Sequence, residues 1–125
     1  GLADAWAGQI GLGVLSAGSM ALITGSSHVL TGQADTEIHG EGFFGAYPDG
    51  VMPGQYTVEA SQVSTGSVLK WFKDNFVADY TAAAEKIGLN PYDVLNEQSR
   101  NIRPGSDGLI INEYFQGNRT PYTDS

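Results

Sequence analysis

Three short runs of this 125-residue chain hold residue types that could do chemistry. Asp4 precedes an apolar, glycine-rich run. A carboxylate there serves as a helix cap, the commoner role, or as a general base if a substrate hydroxyl comes within hydrogen-bond reach. Thr24-Gly25-Ser26-Ser27 reads as a tight turn. Such a turn can also present backbone N–H groups and hydroxyls to a phosphate. Gly66 falls at the start of an expected helix, either as a packing glycine or as one of the amides facing a phosphate. Gln62, four residues before it, reads as a surface amide preceding that helix.

Other chemistries find little support. Gly11-Leu12-Gly13 has Ser16 where a dinucleotide loop needs its third glycine, and no Gly-x-x-x-x-Gly-Lys-Ser/Thr run occurs. Ser26, Ser27 and His28 are neighbours in sequence, which is no sign of a triad, because triads are assembled in space. Asn118-Arg119-Thr120 is formally a glycosylation sequon, without cysteines or a signal-peptide pattern to give it a secretory context. With no cysteine and only His28 and His39, thiolate and ordinary zinc sites are not expected, and no residue is assigned as a metal ligand.

Fourteen acidic against six basic residues give a formal charge of −8, which repels a phosphate backbone, so no nucleic-acid partner is expected. The apolar stretch from Ile10 to Thr31 is broken by glycines and serines and falls short of a membrane span. A cytoplasmic protein fits these features. A composition of 41% hydrophobic and 16% charged residues is globular, and the length suits one fold unit. Gly1 in place of Met and the loop-like Gly-Asn-Arg-Thr-Pro close to Ser125 make both ends read as cut.

The elements that must position these residues follow from spacing. A helix is expected from about Asp4 to Ala17, with Asp4 near its N-cap, although Gly8, Gly11 and Gly13 weaken it. Met20–Thr24 and His28–Thr31 read as strands joined by Gly25-Ser26-Ser27. Residues 32–54 suggest short strands and turns, and Gln55–Glu59 alternates like a strand. Val68, Leu69, Phe72 and Phe76 predict a helix from Ser64 to Val77. Further helices are expected at Tyr80–Ile87 and from Pro91, behind Asn90, to Arg100. Leu109–Ile111 reads as a buried strand after the loop Pro104–Gly108.

Four segments in order carry a resemblance. They are Gly1-Leu-Ala-Asp4-Ala-Trp-Ala-Gly8, Ile23-Thr-Gly-Ser-Ser-His28, Val58-Glu-Ala-Ser-Gln-Val-Ser-Thr-Gly66, and Pro104-Gly-Ser-Asp-Gly-Leu109 with Gly117-Asn-Arg-Thr-Pro-Tyr-Thr-Asp124. This series resembles the carboxy-terminal half of the FGGY carbohydrate kinases, the family of ribulokinase, xylulokinase and glycerol kinase. The Glu-Ala-Ser-Gln and Gly-Asn-Arg-Thr-Pro runs look most like its ribulokinase and related pentulose or polyol kinase branches.

The resemblance implies an α/β, ribonuclease-H-like (actin-like ATPase) domain, present in part, with a mixed sheet and flanking helices. Two such domains would close over a sugar or polyol and ATP with Mg2+. Residues 1–125 would be part of the carboxy-terminal domain, lacking the amino-terminal domain and the distal adenosine-binding part, and so inactive alone. Asp4 falls on the family's general base. Gly25, Ser26 and Ser27 fall on a phosphate loop that usually reads Gly-Thr-Ser, with Ser26 keeping the hydroxyl. Gly66 falls on a glycine that approaches the nucleotide, and Gln62 on a glutamine near the cleft. Lys70 replaces a nucleotide-contacting Gln, and it either serves phosphate or is solvated. Trp6 replaces a small polar residue, and it either shapes the sugar pocket or packs against the glycine-rich helix. Ala60 and Ser61 depart from the family's paired glycines. A homo-oligomer of the parent is compatible with this reading. The alternative is a non-catalytic actin-like module that binds sugar or nucleotide.

Overall fold

Strands joined by short connections can only pair antiparallel, since a parallel neighbour needs a crossover of a dozen or more residues. The structure, a computed structural model describing residues 1–41, 43 and 45–120, follows this rule. Its strands β1 (Met20–Thr24), β2 (His28–Ala34), β3 (Gly45–Pro48) and β4 (Tyr56–Gln62) form one sheet in the order β1-β2-β4-β3. All three pairings are antiparallel. The expected mixed sheet is therefore corrected: among the described residues the four strands pair antiparallel, and parallel pairing is found in the isolated bridges Ala17–Gln33 and Phe115–Gly117. The stretch from Pro121 to Asp124, part of the last motif segment, lies outside the described residues.

By their contacts the residues divide into two units, Gly1–Ser67 with the segment from Tyr114, and Val68–Glu113. The first unit holds the sheet and helix α1 (Asp4–Gly11), which packs on β1 and β2. Helix α1 is shorter than expected. The chain leaves it at Leu12 and takes a positive φ of 73° at Gly13, while the Gln9 side chain donates to the Val14 carbonyl at 2.8 Å. The N-cap is Ala3 with no side-chain capping bond, so Asp4 occupies the first helical position and not the cap.

The core of this unit is unusually polar. Gln9, Thr31 and Thr57 are fully buried, beside Ala5, Ala21, Ala34 and Val58. Burial is tolerated because the groups find partners. Thr31 Oγ1 donates to Gln9 Oε1 at 2.7 Å, and Thr57 Oγ1 accepts from Gln33 Nε2 at 3.1 Å and Val51 N at 3.0 Å. The loop from β3 to β4 is fixed by Asp49, whose carboxylate accepts from Gly54 N at 2.6 Å. Strand β2 runs to Ala34, three residues beyond its expected end, since β4 pairs with it out to that residue.

Helix α2 (Gly66–Phe76) begins in the first unit and continues into the second. The second unit also contains α3 (Ala78–Lys86) and α4 (Pro91–Ser99). Pro91 at the helix start and the Asn90 side chain, which accepts from Tyr92 N at 2.9 Å, open α4 as the sequence predicts. Thr81 and Ala84 are buried, and Gln98 donates to the Tyr80 hydroxyl at 3.0 Å. Trp71, Phe72 and Phe76 cluster on α2, with Phe72 and Phe76 stacked at 5.5 Å. The expected buried strand Leu109–Ile111 does not form. These residues are 69%, 90% and 66% exposed, and an apolar run with no neighbouring ladder has nothing to pair with. No helix among the described residues is long and apolar enough to cross a membrane.

Candidate functional site

The turn between β1 and β2 and the start of α2 lie about forty residues apart in sequence but meet in the first unit. Ser26 O accepts from Thr65 N at 2.9 Å and Ser67 Oγ at 3.1 Å, with longer contacts from Ser67 N and Thr65 Oγ1 at 3.4 Å. Thr65 Oγ1 also reaches Gly25 O at 3.5 Å. Gly66 is required at this junction, because a Cβ on it would collide with the Gly25 carbonyl. Gly25, Ser26 and Gly66, three residues singled out from the sequence, are thus brought together.

The seating also decides which groups remain available. Gly25 N closes on Ser27 O at 2.9 Å. Among the described residues, the N–H groups of Ser26 and Ser27 have no protein acceptor, and Ser26 is exposed. Two successive free N–H groups beside hydroxyls suit an anionic oxygen. The amide of Ser67, by contrast, is already turned toward the Ser26 carbonyl.

Asp4 is exposed at the first position of α1, where the helix dipole favours a negative charge. Its Oδ1 accepts the N–H of Ala5 at 2.8 Å, and its Oδ2 has no hydrogen bond among the described residues. Trp6 is half-buried. Its Nε1 donates to Glu59 Oε2 at 3.2 Å, and its ring meets Tyr47 edge-on at 5.4 Å. It therefore packs against the sheet, not against the glycines of its own helix. Gln62 borders an open pocket of about 180 Å³ with His28, Leu22 and Leu30. Among the described residues, the buried atoms Gln62 Nε2 and Ser61 Oγ have no hydrogen-bond partner.

Lys70 belongs to the second unit, where it pairs with Asp74 one turn further along α2. Lys73 joins the same carboxylate at 2.9 Å. Hydrogen bonds from Lys70 and Lys73 hold the Asp74 carboxyl below its usual range, and the Asp74 hydrogen bond raises Lys73. Among the described residues no group of three or more His, Asp or Glu could hold a metal ion.

Sequence reasoning missed Gln9, Thr31 and Glu59, the polar residues through which the sheet holds α1. The helix expected from Ser64 begins instead at Gly66, and Thr65 and Ser67 grip the β1–β2 turn. Hydroxyl residues on both sides of Gly66 were the visible signal.

Comparison with known proteins supplies the rest. Residues 20–125 match the model of the FGGY family of carbohydrate kinases, C-terminal domain, a span that leaves Asp4 outside. The chain is 34% identical over 128 residues to a ribulokinase of Anoxybacillus flavithermus, and 30% identical over 125 residues to a gluconokinase of Bacillus subtilis. These matches cover 100% and 97% of the chain but only 22% and 23% of the relatives. A xylulose kinase from Rhodospirillum rubrum superimposes with a TM-score of 0.78 at 22% identity, over 99% of this chain and 24% of that one. The superposition shows the α/β, ribonuclease-H-like (actin-like ATPase) fold that the motifs imply. A match of this extent leaves one conclusion, that the chain belongs to the FGGY family of carbohydrate kinases.

Proposed function

We propose that the protein containing these residues transfers the γ-phosphoryl group of ATP to a hydroxyl of a sugar or polyol, with a pentulose such as ribulose or xylulose favoured. Residues 1–125 are then part of its carboxy-terminal domain. The chain spans about 22% of the ribulokinase it matches, and the rest of the cleft is assigned to chain outside these residues. The carrying observation is the turn at Gly25–Ser27, held from behind by α2 so that the Ser26 and Ser27 N–H groups stay free for phosphate oxygens.

In this reading Asp4 is the base. Its unengaged Oδ2 accepts the proton of the attacking hydroxyl, and the Ala5 N–H on Oδ1 keeps the carboxylate oriented. Phosphoryl transfer requires mainly positioning and charge neutralisation, so an exposed carboxylate and a phosphate-holding turn carried by the same unit are an adequate local set. Gln62 is assigned to the sugar side, and Gly66 to the close approach of the nucleotide. Lys70 is assigned to phosphate in exchange for its Asp74 pairing. Mg2+ bound with ATP would supply charge neutralisation, and no residue of this chain is assigned as its ligand.

The test is an ATP-coupled screen of the full-length protein against ribulose, xylulose, ribitol, erythritol, glycerol and gluconate. Turnover of at least one pentulose is expected, whereas binding without turnover of any would favour a non-catalytic module. Asp4→Asn should lower kcat by about 10²- to 10⁴-fold with sugar binding retained. Residues 1–125 alone should show no turnover.

A further inference from the structure

Helix α1 is a poor helix on its own terms. It has eight residues, contains Gly8 and Gly11, and has no side-chain cap. Isolated helices of this length are unstable in water, and each interior glycine costs roughly 1 kcal/mol relative to alanine. Among the described residues the Asp4 side chain makes no hydrogen bond beyond its neighbour's amide. The placement of its carboxylate must therefore be set by whatever grips the rest of the first turn.

Two polar tethers do so, and both come from one row across the sheet. Register places Ala21, Thr31, Glu59 and Gly45 side by side on β1, β2, β4 and β3. Thr31 bonds Gln9 at 2.7 Å and Glu59 bonds Trp6 at 3.2 Å, so neighbouring strands hold α1 at positions three residues apart on one helical face. A Cβ at position 50 would lie 2.9 Å from Thr57 Oγ1 and 3.2 Å from Trp6 Cη2, so Gly50 leaves space where the indole lies. Residues two apart on a helix point about 200° from each other, from the 3.6-residue period. Anchoring Trp6 to the sheet thus presents Asp4 on the opposite, exposed side.

We propose that Trp6 and Glu59 form a positioning pair that sets the Asp4 carboxylate, with Trp6 acting through the sheet and not as a wall of the sugar pocket. The inference rests on the reading of Asp4 as base. In the full-length protein, Trp6→Phe keeps the ring but loses the N–H donor, and kcat should fall about tenfold, within the range that small misplacements of catalytic groups produce. KM for sugar and ATP should change little. Glu59→Leu should give the same loss, and the double variant should be no worse than either single one. Glu59→Gln, which keeps an acceptor for the indole, should retain most of kcat. Should Glu59→Leu not fold, Trp6→Phe and Glu59→Gln still decide the matter.

A rise in sugar KM with kcat unchanged in Trp6→Phe would overturn the proposal in favour of direct substrate contact. Additive losses in the double variant would overturn it too. Near-zero turnover in Asp4→Asn beside wild-type kcat in Trp6→Phe sinks this inference alone. Wild-type turnover in Asp4→Asn removes the base assignment, and this inference with it.

Discussion

The sheet-bearing unit and the helical stretch Val68–Glu113 are held by different kinds of bond. In the first, side chains far apart in sequence meet: Trp6 with Glu59, Gln9 with Thr31, Thr65 and Ser67 with Ser26. In the second, most are one helical turn apart, as with Lys70 and Asp74, Thr81 Oγ1 and the Val77 carbonyl, or Arg103 and Asp107 at 2.6 Å. Every candidate residue except Lys70 lies in the first unit. Long-range polar bonds fix groups relative to one another across the fold, as a catalytic site demands, whereas turn-to-turn bonds only support the helix that bears them.

This contrast can be broken by substitutions, and the largest effect should come from Gly66. Gly66→Val forces a side chain into the Gly25 carbonyl. It should destabilise the protein by about 1–3 kcal/mol in urea unfolding, as overpacking does, and raise KM for ATP in the full-length protein. Wild-type ATP affinity in that variant would separate the junction from phosphate binding. Thr31→Val is next: Gln9 Oε1 would remain buried without a donor, at a cost of about 1–3 kcal/mol.

In the second unit, Asn90→Ala removes a single cap and should cost about 1 kcal/mol, with no change in kcat of the full-length protein. The smallest effect concerns Asp74. Its carboxyl is held below the usual range, so the pairing with Lys70 and Lys73 is present at neutral pH and fades as pH falls through that lowered value. Lys73 is shifted upward, so its share is lost only on the alkaline side, as pH rises through the raised value. Thermal unfolding should therefore show a slight acid-side loss that 1 M salt abolishes and that a Lys70→Ala, Lys73→Ala variant lacks. A large effect here would mean that local pairs weigh more than the comparison allows.

What could be read in the sequence follows the same division. The start of α4 was legible because Asn90 and Pro91 encode it locally, and β1 has its expected ends because Gly25 punctuates it. Leu109–Ile111 misled because an apolar run signals burial, while a strand also needs a partner edge. Helix α1 stops at Gly11 because the Gln9 side chain takes the Val14 carbonyl, a bond that spacing does not announce. Among the candidate residues, motif order named Gly25, Ser26 and Gly66, which the fold brings together. The 53-residue separation between Trp6 and Glu59 hid the anchor of α1, since it depends on the register of three strand pairs.

The Ser26 carbonyl has one more consequence. It belongs to the same peptide unit as the N–H of Ser27, so the bonds it accepts from Thr65 and Ser67 withdraw electron density along that unit. Hydrogen-bonded chains polarise one another by roughly 10–30% per bond. The amides and hydroxyls of Thr65 and Ser67, turned to the Ser26 carbonyl, would thereby make the Ser27 N–H a stronger donor. The helix then acts on the turn electronically as well as sterically.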